Sequence, residues 1–325
     1  MPEEPHKILE RDLYSVLIKE HFSESLELME DLVNYGTNLI PRCYASSEKK
    51  IHDIVILVNF LKQAVSLLDS IHILSAKGST VSCFISLRSL FEISVYLDWI
   101  FQQETEKRGS LYFVWDIRQK LHWALSMKEG TPENQDCKLY IRDSLKRVAL
   151  SAKDPSLLES QISLLEKQLL ADECAKINQE FKRRKKGFRD REWYVPGGVN
   201  SFREMAKAVK REGEYKVFYS SYSEITHGLA FDEQINLTEG MVVFEPIRNM
   251  SGIDEIFRCS LNLILDIYRK VLTHYRYGEI ENFNRKYVAE WRARYLTVKS
   301  VEYKNGTYTI KSNDLSQLTA HKIKK

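Results

Sequence analysis

Between Val81 and Phe101 the chain is apolar almost all round a helix, yet Arg88, Glu92 and Asp98 stand inside that segment. No other feature limits the possible folds so sharply. In a membrane span each of those charges would cost about 2.5–3.5 kcal/mol near the bilayer centre, so the segment reads as the buried helix of a globular core. Buried charges need partners, because removing one member of a buried pair costs about 3–5 kcal/mol. Another part of the chain is therefore expected to bring polar groups to this helix.

The flanking sequence supplies the rest of a helical core. Residues 8–39 carry Leu13, Val16, Leu17, Leu26, Met29, Leu32 and Val33 at helical spacings, with Pro41 expected to help stop that helix. A helix is predicted over 50–76, with Ile54, Val55, Val58, Leu61, Val65, Leu68 and Ile71 inward. Lys77-Gly78-Ser79 then breaks the chain before a helix over 79–104, and the short turn predicts an antiparallel hairpin. A wetter helix over 105–130 and an exposed loop at 129–136 follow. Ser156 with Glu159 opens a long helix to about Lys182, and Ser201 with Glu204 opens one to about Arg211. Gly213 is expected to separate that helix from one at 214–227, which ends at Gly228. Helices at 252–276 and 280–296 complete the set.

Residues 233–245 alternate as a small hairpin would, and Asn305-Gly306 between Val301, Tyr303, Tyr308 and Ile310 signals another. With 13 Gly and 7 Pro the chain is too poor in turn residues for a sandwich or barrel. The fold class is thus mainly all-α: a multi-helix bundle with one or two β-hairpins near 233–245 and 298–311, forming one compact unit. The expected organisation is an N-terminal helix over 1–45 packing on the bundle, a bundle core over 46–296, and a hairpin with a flexible basic tail over 297–325.

Five cysteines (Cys43, Cys83, Cys137, Cys174 and Cys259) are scattered without Cys-x-x-Cys or zinc spacing, so reduced thiols and no metal or cofactor are expected. Met1 to Lys7 carries neither a basic n-region nor an apolar run, and a cytoplasmic, non-membrane protein is the expectation. A net charge of +3 is too small to argue nucleic-acid binding by itself.

Arg88 and Glu92 lie one helical turn apart. On a surface that spacing stabilises by only about 0.2–0.5 kcal/mol, which does not explain charges in so apolar a helix. In the segment Tyr215 to Gly228, Tyr219, Ser223 and His227 recur every four residues on one face. Meeting Arg88 and Glu92, they would make a cluster of cation, carboxylate, hydroxyls and imidazole. Arg88 could orient a phosphate there, with His227 as general acid or base. The other reading is a polar network that locks two helices together, with His227 complementing a helix dipole. The basic run Lys182 to Arg189, followed by Trp193 and Tyr194, has the ingredients for holding a nucleic-acid strand, and equally those of a solvated helix end. No P-loop, dinucleotide loop or zincin motif occurs.

Arg88-Ser-Leu-Phe-Glu92 on its apolar helix resembles the first motif of a bacterial helical group, domain-of-unknown-function family 5677. Tyr215-x3-Tyr219-x3-Ser223-x3-His227-Gly228 is similar to its second motif, and Trp193 and the helix near 202–211 fall where that group has theirs. The likeness covers roughly 50–230 and implies a helical fold with these motifs at its centre, without an activity. A more distant likeness is to the HEPN ribonucleases of toxin and phage-defence systems, helical bundles that use Arg-x(4–6)-His without metal. Arg269-Lys-Val-Leu-Thr-His274 has that spacing, whereas Ser220, Ser221 and Tyr222 stand at the matching offset before His227.

Two functions follow as expectations. In one, Arg88, Glu92 and His227 are catalytic and Tyr219, Ser223 and Trp193 bind RNA or a small anionic ligand, as in a metal-independent ribonuclease of phage defence. In the other the chain is a non-enzymatic scaffold, forming a homodimer or docking a partner through an apolar patch on helix 8–39 or 253–295.

Overall fold

The computed structural model describes residues 9, 11–134, 155–184, 190–220, 235–238, 241–244, 246–304 and 307–312. Helix α1 spans Arg11–Ser46. Helix α2, Ile51–Ser75, opens with an α-turn, widens to a π-helix over Ile54–Leu61 and closes as α-helix Lys62–Ser75. Then come α3 (Thr80–Gln102), α4 (Thr105–Met127), α5 (Pro155–Leu170), α6 (Asp172–Arg184) and α7 (Phe202–Ala208). Element α8 is a turn, Glu212–Glu214, continued by a π-helix Tyr215–Ser220. Strands β1 (Ile235–Thr238) and β2 (Met241–Phe244) form one antiparallel hairpin. Helix α9 (Ile253–Tyr275) is followed by α10, which runs Ile280–Lys286, then π-helical Tyr287–Trp291, then Arg292–Leu296. Strands β3 (Ser300–Lys304) and β4 (Thr307–Lys311) pair with Lys304 opposite Thr307, the register of a two-residue connection. The chain is mainly all-α.

The contacts divide it into two units. The first comprises residues 1–48, 56–99 and 209–325. Its centre is α9, where Ile253, Ile256, Phe257, Leu261, Ile264, Ile267 and Val271 are all fully buried. A stripe repeating every three or four residues buries one face of a helix, and α9 keeps that period throughout. Tyr35 of α1 gathers Tyr268, Phe283 and Trp291 around it, with ring centroids 5.2–5.7 Å away. Helices α2 and α3 form the expected hairpin: Phe60 stacks near Tyr96 (5.7 Å) and the Cys83 thiol lies 3.8 Å from the Ile71 carbonyl. Gly78 makes the turn at φ +67°, where a Cβ would stand 3.1 Å from the Asn249 carbonyl oxygen. Asn249 closes the turn by donating its N–H to the Gly78 carbonyl and accepting from Thr80 Oγ1 at 2.7 Å.

The second unit comprises 49–55 and 100–208. Here α4 packs against α5 and α6, and Gly109 lets the chain at His52 approach: a Cβ on it would meet His52 Cβ at 2.5 Å.

Four local expectations are corrected. Pro41 lies inside α1, which runs on to Ser46. Proline removes one backbone donor at a cost of ~3 kcal/mol, but Leu39 and Cys43 on either side are fully buried and hold the helix together. Ile54 and Val58 are over a third exposed while Ile56, Leu57 and Phe60 are buried. The π-helical winding shifts the phase of a stripe that the α period had assigned. The long helix over 157–182 is two helices broken at Ala171, and Asn178 caps the freed Leu169 carbonyl with its side-chain amide (3.2 Å). Gly213 lies within the Glu212–Glu214 turn; the chain breaks instead at Lys210, whose φ is +63°.

Two helices, Ile51–Ser75 and Thr80–Gln102, are long and apolar enough to cross a membrane by length and composition, and half of each apolar window is buried within the fold.

Candidate functional site

The charges of α3 find their partners on the segment 211–220, which runs antiparallel to it. Arg88 meets Tyr219, Phe91 meets Phe218 with centroids 5.6 Å apart, and Asp98 meets Arg211. As one chain index rises the other falls. The sequence demands polar groups at this helix, and this segment brings them.

Two clusters result. In the first, Arg88 Nη2 is 3.3 Å from Glu92 Oε1, with both side chains about four-fifths buried. The guanidinium lies over the Tyr219 ring at 4.3 Å, and Tyr219 stacks on Tyr215 at 4.9 Å with planes 16° apart. The π-helical winding of 215–220 brings rings four residues apart nearly into line. Arg88 thus meets the face of Tyr219, where the sequence suggested the hydroxyl. Arg88 Nε is buried and has no acceptor among the described residues.

In the second cluster, Arg211 donates to Asp98 Oδ2 (2.9 Å), Ser94 Oγ (2.5 Å) and both carboxylate oxygens of Glu214 (3.0 and 2.5 Å). Lys270 of α9 pairs with Asp98 and with Asp266. Burial works to lower the Arg211 pKa, but the hydrogen bonds and charges of Glu214 and Asp98 outweigh it and raise it. Every strong donor here has an acceptor, so this cluster fastens α3, α8 and α9 together. The sequence reading missed it. Its signal was Asp98 itself, a third charge in the apolar helix left without an assigned partner.

Of the expected site residues, Arg88, Glu92 and Tyr219 come together. Ser223, His227 and Gly228 lie outside the described residues. Trp193 belongs to the second unit, where it is 2% exposed against Tyr112 (5.4 Å) and Tyr194 (5.7 Å). Its ring and that of Tyr194 are core surfaces, with no face left for a base to stack on. That unit has its own buried ion pair: Arg118 grips Asp190 through Nε and Nη2, both at 2.7 Å, and donates to Asn178 at 2.5 Å. Beside it, Gln119, His122, Glu133 and Lys182 line a cavity of about 230 Å³. Among the described residues no three His, Cys, Asp or Glu side chains gather where they could hold one metal ion.

A helical bundle whose central helix carries an internal cation–carboxylate–aromatic cluster is the class that fold and site define. The chain belongs to a family of unknown function, DUF5677, whose family model matches residues 54–240. That match takes in more than half the chain, including α3 and the segment that faces it. No curated protein and no solved structure matches the chain. The likeness to HEPN ribonucleases therefore gains no support. Arg269 and His274 are exposed on α9, and five residues apart they point about 140° away from each other.

Proposed function

We propose that the Arg88–Glu92–Tyr219 cluster binds the phosphate of RNA or of a small anionic ligand. One observation carries the reading: a buried Arg88 Nε–H without an acceptor among the described residues. Such orphaned donors are rare in folded proteins and cost about 1–3 kcal/mol each. A ligand oxygen would relieve that cost. Tyr219 supports the reading further, because its ring holds the guanidinium plane in place and removes the freedom that binding would otherwise have to freeze. Glu92 neutralises part of the charge when the site is empty. For phosphodiester cleavage without metal, Arg88 would stabilise developing charge on the phosphate and His227 would move the proton.

The test is fluorescence anisotropy with a labelled single-stranded RNA, with inorganic phosphate as competitor. A charge-assisted hydrogen bond contributes about 1.5–3 kcal/mol, so Arg88→Ala is expected to weaken binding roughly 10- to 100-fold with little change in Tm. Wild-type RNA that survives incubation with the protein in chelator would remove the catalytic part and leave the binding part standing. Equal binding by wild type and Arg88→Ala would refute both.

The scaffold reading draws on the second cluster. Arg211, Asp98 and Lys270 show no unsatisfied group, which is what a network selected for helix packing looks like. On that reading Arg88→Ala lowers Tm and changes no binding.

A further inference from the structure

Helix α1 is broken at Phe22, whose φ of −127° and ψ of 19° leave the helical region. The cause is visible in the packing: the Phe22 ring is 2% exposed and seats against Phe257 of α9, 5.6 Å between centroids. The chain restarts as helix at Ser23 and continues to Ser46. The bend opens a groove of about 370 Å³, walled on its other side by Thr297 and Lys299. That volume falls at the low end of the roughly 300–1,000 Å³ typical of ligand pockets.

Several polar groups of the groove have no partner among the described residues. Ser25 lines it and is 4% exposed, yet its hydroxyl has no hydrogen-bond partner among the described residues. His21, Ser23 and Lys299 also line it without a described hydrogen bond or ion pair. By contrast Thr297 is spent, donating to the Ala293 and Arg294 carbonyls. The first turn of a restarted helix favours negative charge through its N–H groups and dipole. Lys299 adds a full positive charge, so one end of the groove suits a carboxylate. Glu20 and Glu24 line the same groove and are exposed. Two carboxylates would repel a multiply charged anion, but they complement a ligand that brings its own cation.

We propose that this groove binds a small zwitterion of the amino-acid class, its carboxylate on Ser23, Ser25 and Lys299 and its ammonium on Glu20 and Glu24. The site shares no residue with the Arg88 cluster, and the inference stands whether or not that cluster binds phosphate.

Thermal melts of the full chain with each standard L-amino acid test it. At about 100-fold excess over its Kd, a bound amino acid raises Tm by on the order of 5 °C. The deaminated acid and the decarboxylated amine of whichever amino acid acts are expected to do nothing at equal concentration. Ser25→Ala, Lys299→Ala and Glu24→Gln should each shift the concentration dependence about tenfold or more, while Arg88→Ala leaves it unchanged. Glu24 is exposed, so Glu24→Gln keeps the test valid even where Ser25→Ala fails to fold. The proposal is overturned where no amino acid shifts Tm, where the deaminated acid or inorganic phosphate acts equally well, or where Lys299→Ala and Glu24→Gln both respond as wild type.

Discussion

Replacing Arg211 with alanine is the perturbation whose outcome the structure fixes most tightly. The side chain is 10% exposed, its partner Asp98 is 13% exposed, and the guanidinium lies 5.1 Å from the centre of the Phe91 ring. Breaking a buried pair costs about 3–5 kcal/mol because a charge is left behind without compensation. Here the loss is smaller, because Asp98 keeps Lys270, and Glu214, at 41% exposed, can turn to water. A loss of ~2–3 kcal/mol is therefore expected. For a chain this long 1 kcal/mol moves Tm by about 2 °C or a little less, so the melt should fall by roughly 4–6 °C. Calorimetry reads the shift directly, and it also resolves whether the two units melt in separate steps. Asp98→Asn supplies the second side of a double-mutant cycle, with an expected coupling of about 1–3 kcal/mol. A melt unchanged within a degree, or a coupling near zero, would refute the claim that this network fastens α3 to α8 and α9.

Two further outcomes follow from packing and from burial. Gly36→Ala places a Cβ 2.1 Å from the Tyr268 hydroxyl and 2.5 Å from Val65 Cγ2, and it disturbs the hydrogen bond that Tyr268 donates to the Leu32 carbonyl at 2.7 Å. Overpacking and the lost bond together should cost about 3 kcal/mol or more, read as a lower urea midpoint at unchanged slope. Desolvation pushes the Cys83 and Cys259 thiols up to about 12 and Cys43 to about 11, against an unfolded value near 9. Above pH 9 the unfolded chain sheds protons that the folded chain keeps, so stability is intact below that pH and falls as pH climbs toward 11–12. For the fully buried Cys43 and Cys83 the loss approaches ~1.4 kcal/mol per pH unit each. Urea midpoints from pH 8 to 10.5 should show the decline, and Cys83→Ala should make it shallower; a slope that Cys83→Ala leaves untouched would count against it.

Much of this protein is legible in its sequence, for reasons that particular residues make plain. The apolar stripe of α9 keeps a helical period from Ile253 to Val271, and its residues Ile253, Ile256, Phe257, Leu261, Ile264, Ile267 and Val271 are all buried. Lys77-Gly78-Ser79 can only be a turn, and Gly78 adopts the positive φ that a turn of this kind asks of it. Local chemistry settles such features because period, caps and turn residues act over a few positions. Three charges in an apolar helix likewise announce that partners must exist.

Which partners those are is a tertiary matter. Arg211 follows a break at Lys210, a non-glycine residue with φ +63°, and nothing local marks it as the residue that would reach Ser94 and Asp98 more than 110 positions earlier. The π-helical winding over Ile54–Leu61 and Tyr215–Ser220 is equally invisible to a reading by α period. It turned Ile54 and Val58 outward and brought the Tyr219 face over Arg88. The bend at Phe22, and the groove it opens, come from an aromatic contact with Phe257 across 235 positions of chain. The sequence determined that this chain would be a helical bundle with charge inside it. Only long-range packing decided which side chains that charge would meet, because burial rewards contact wherever along the chain the contacting surface arises.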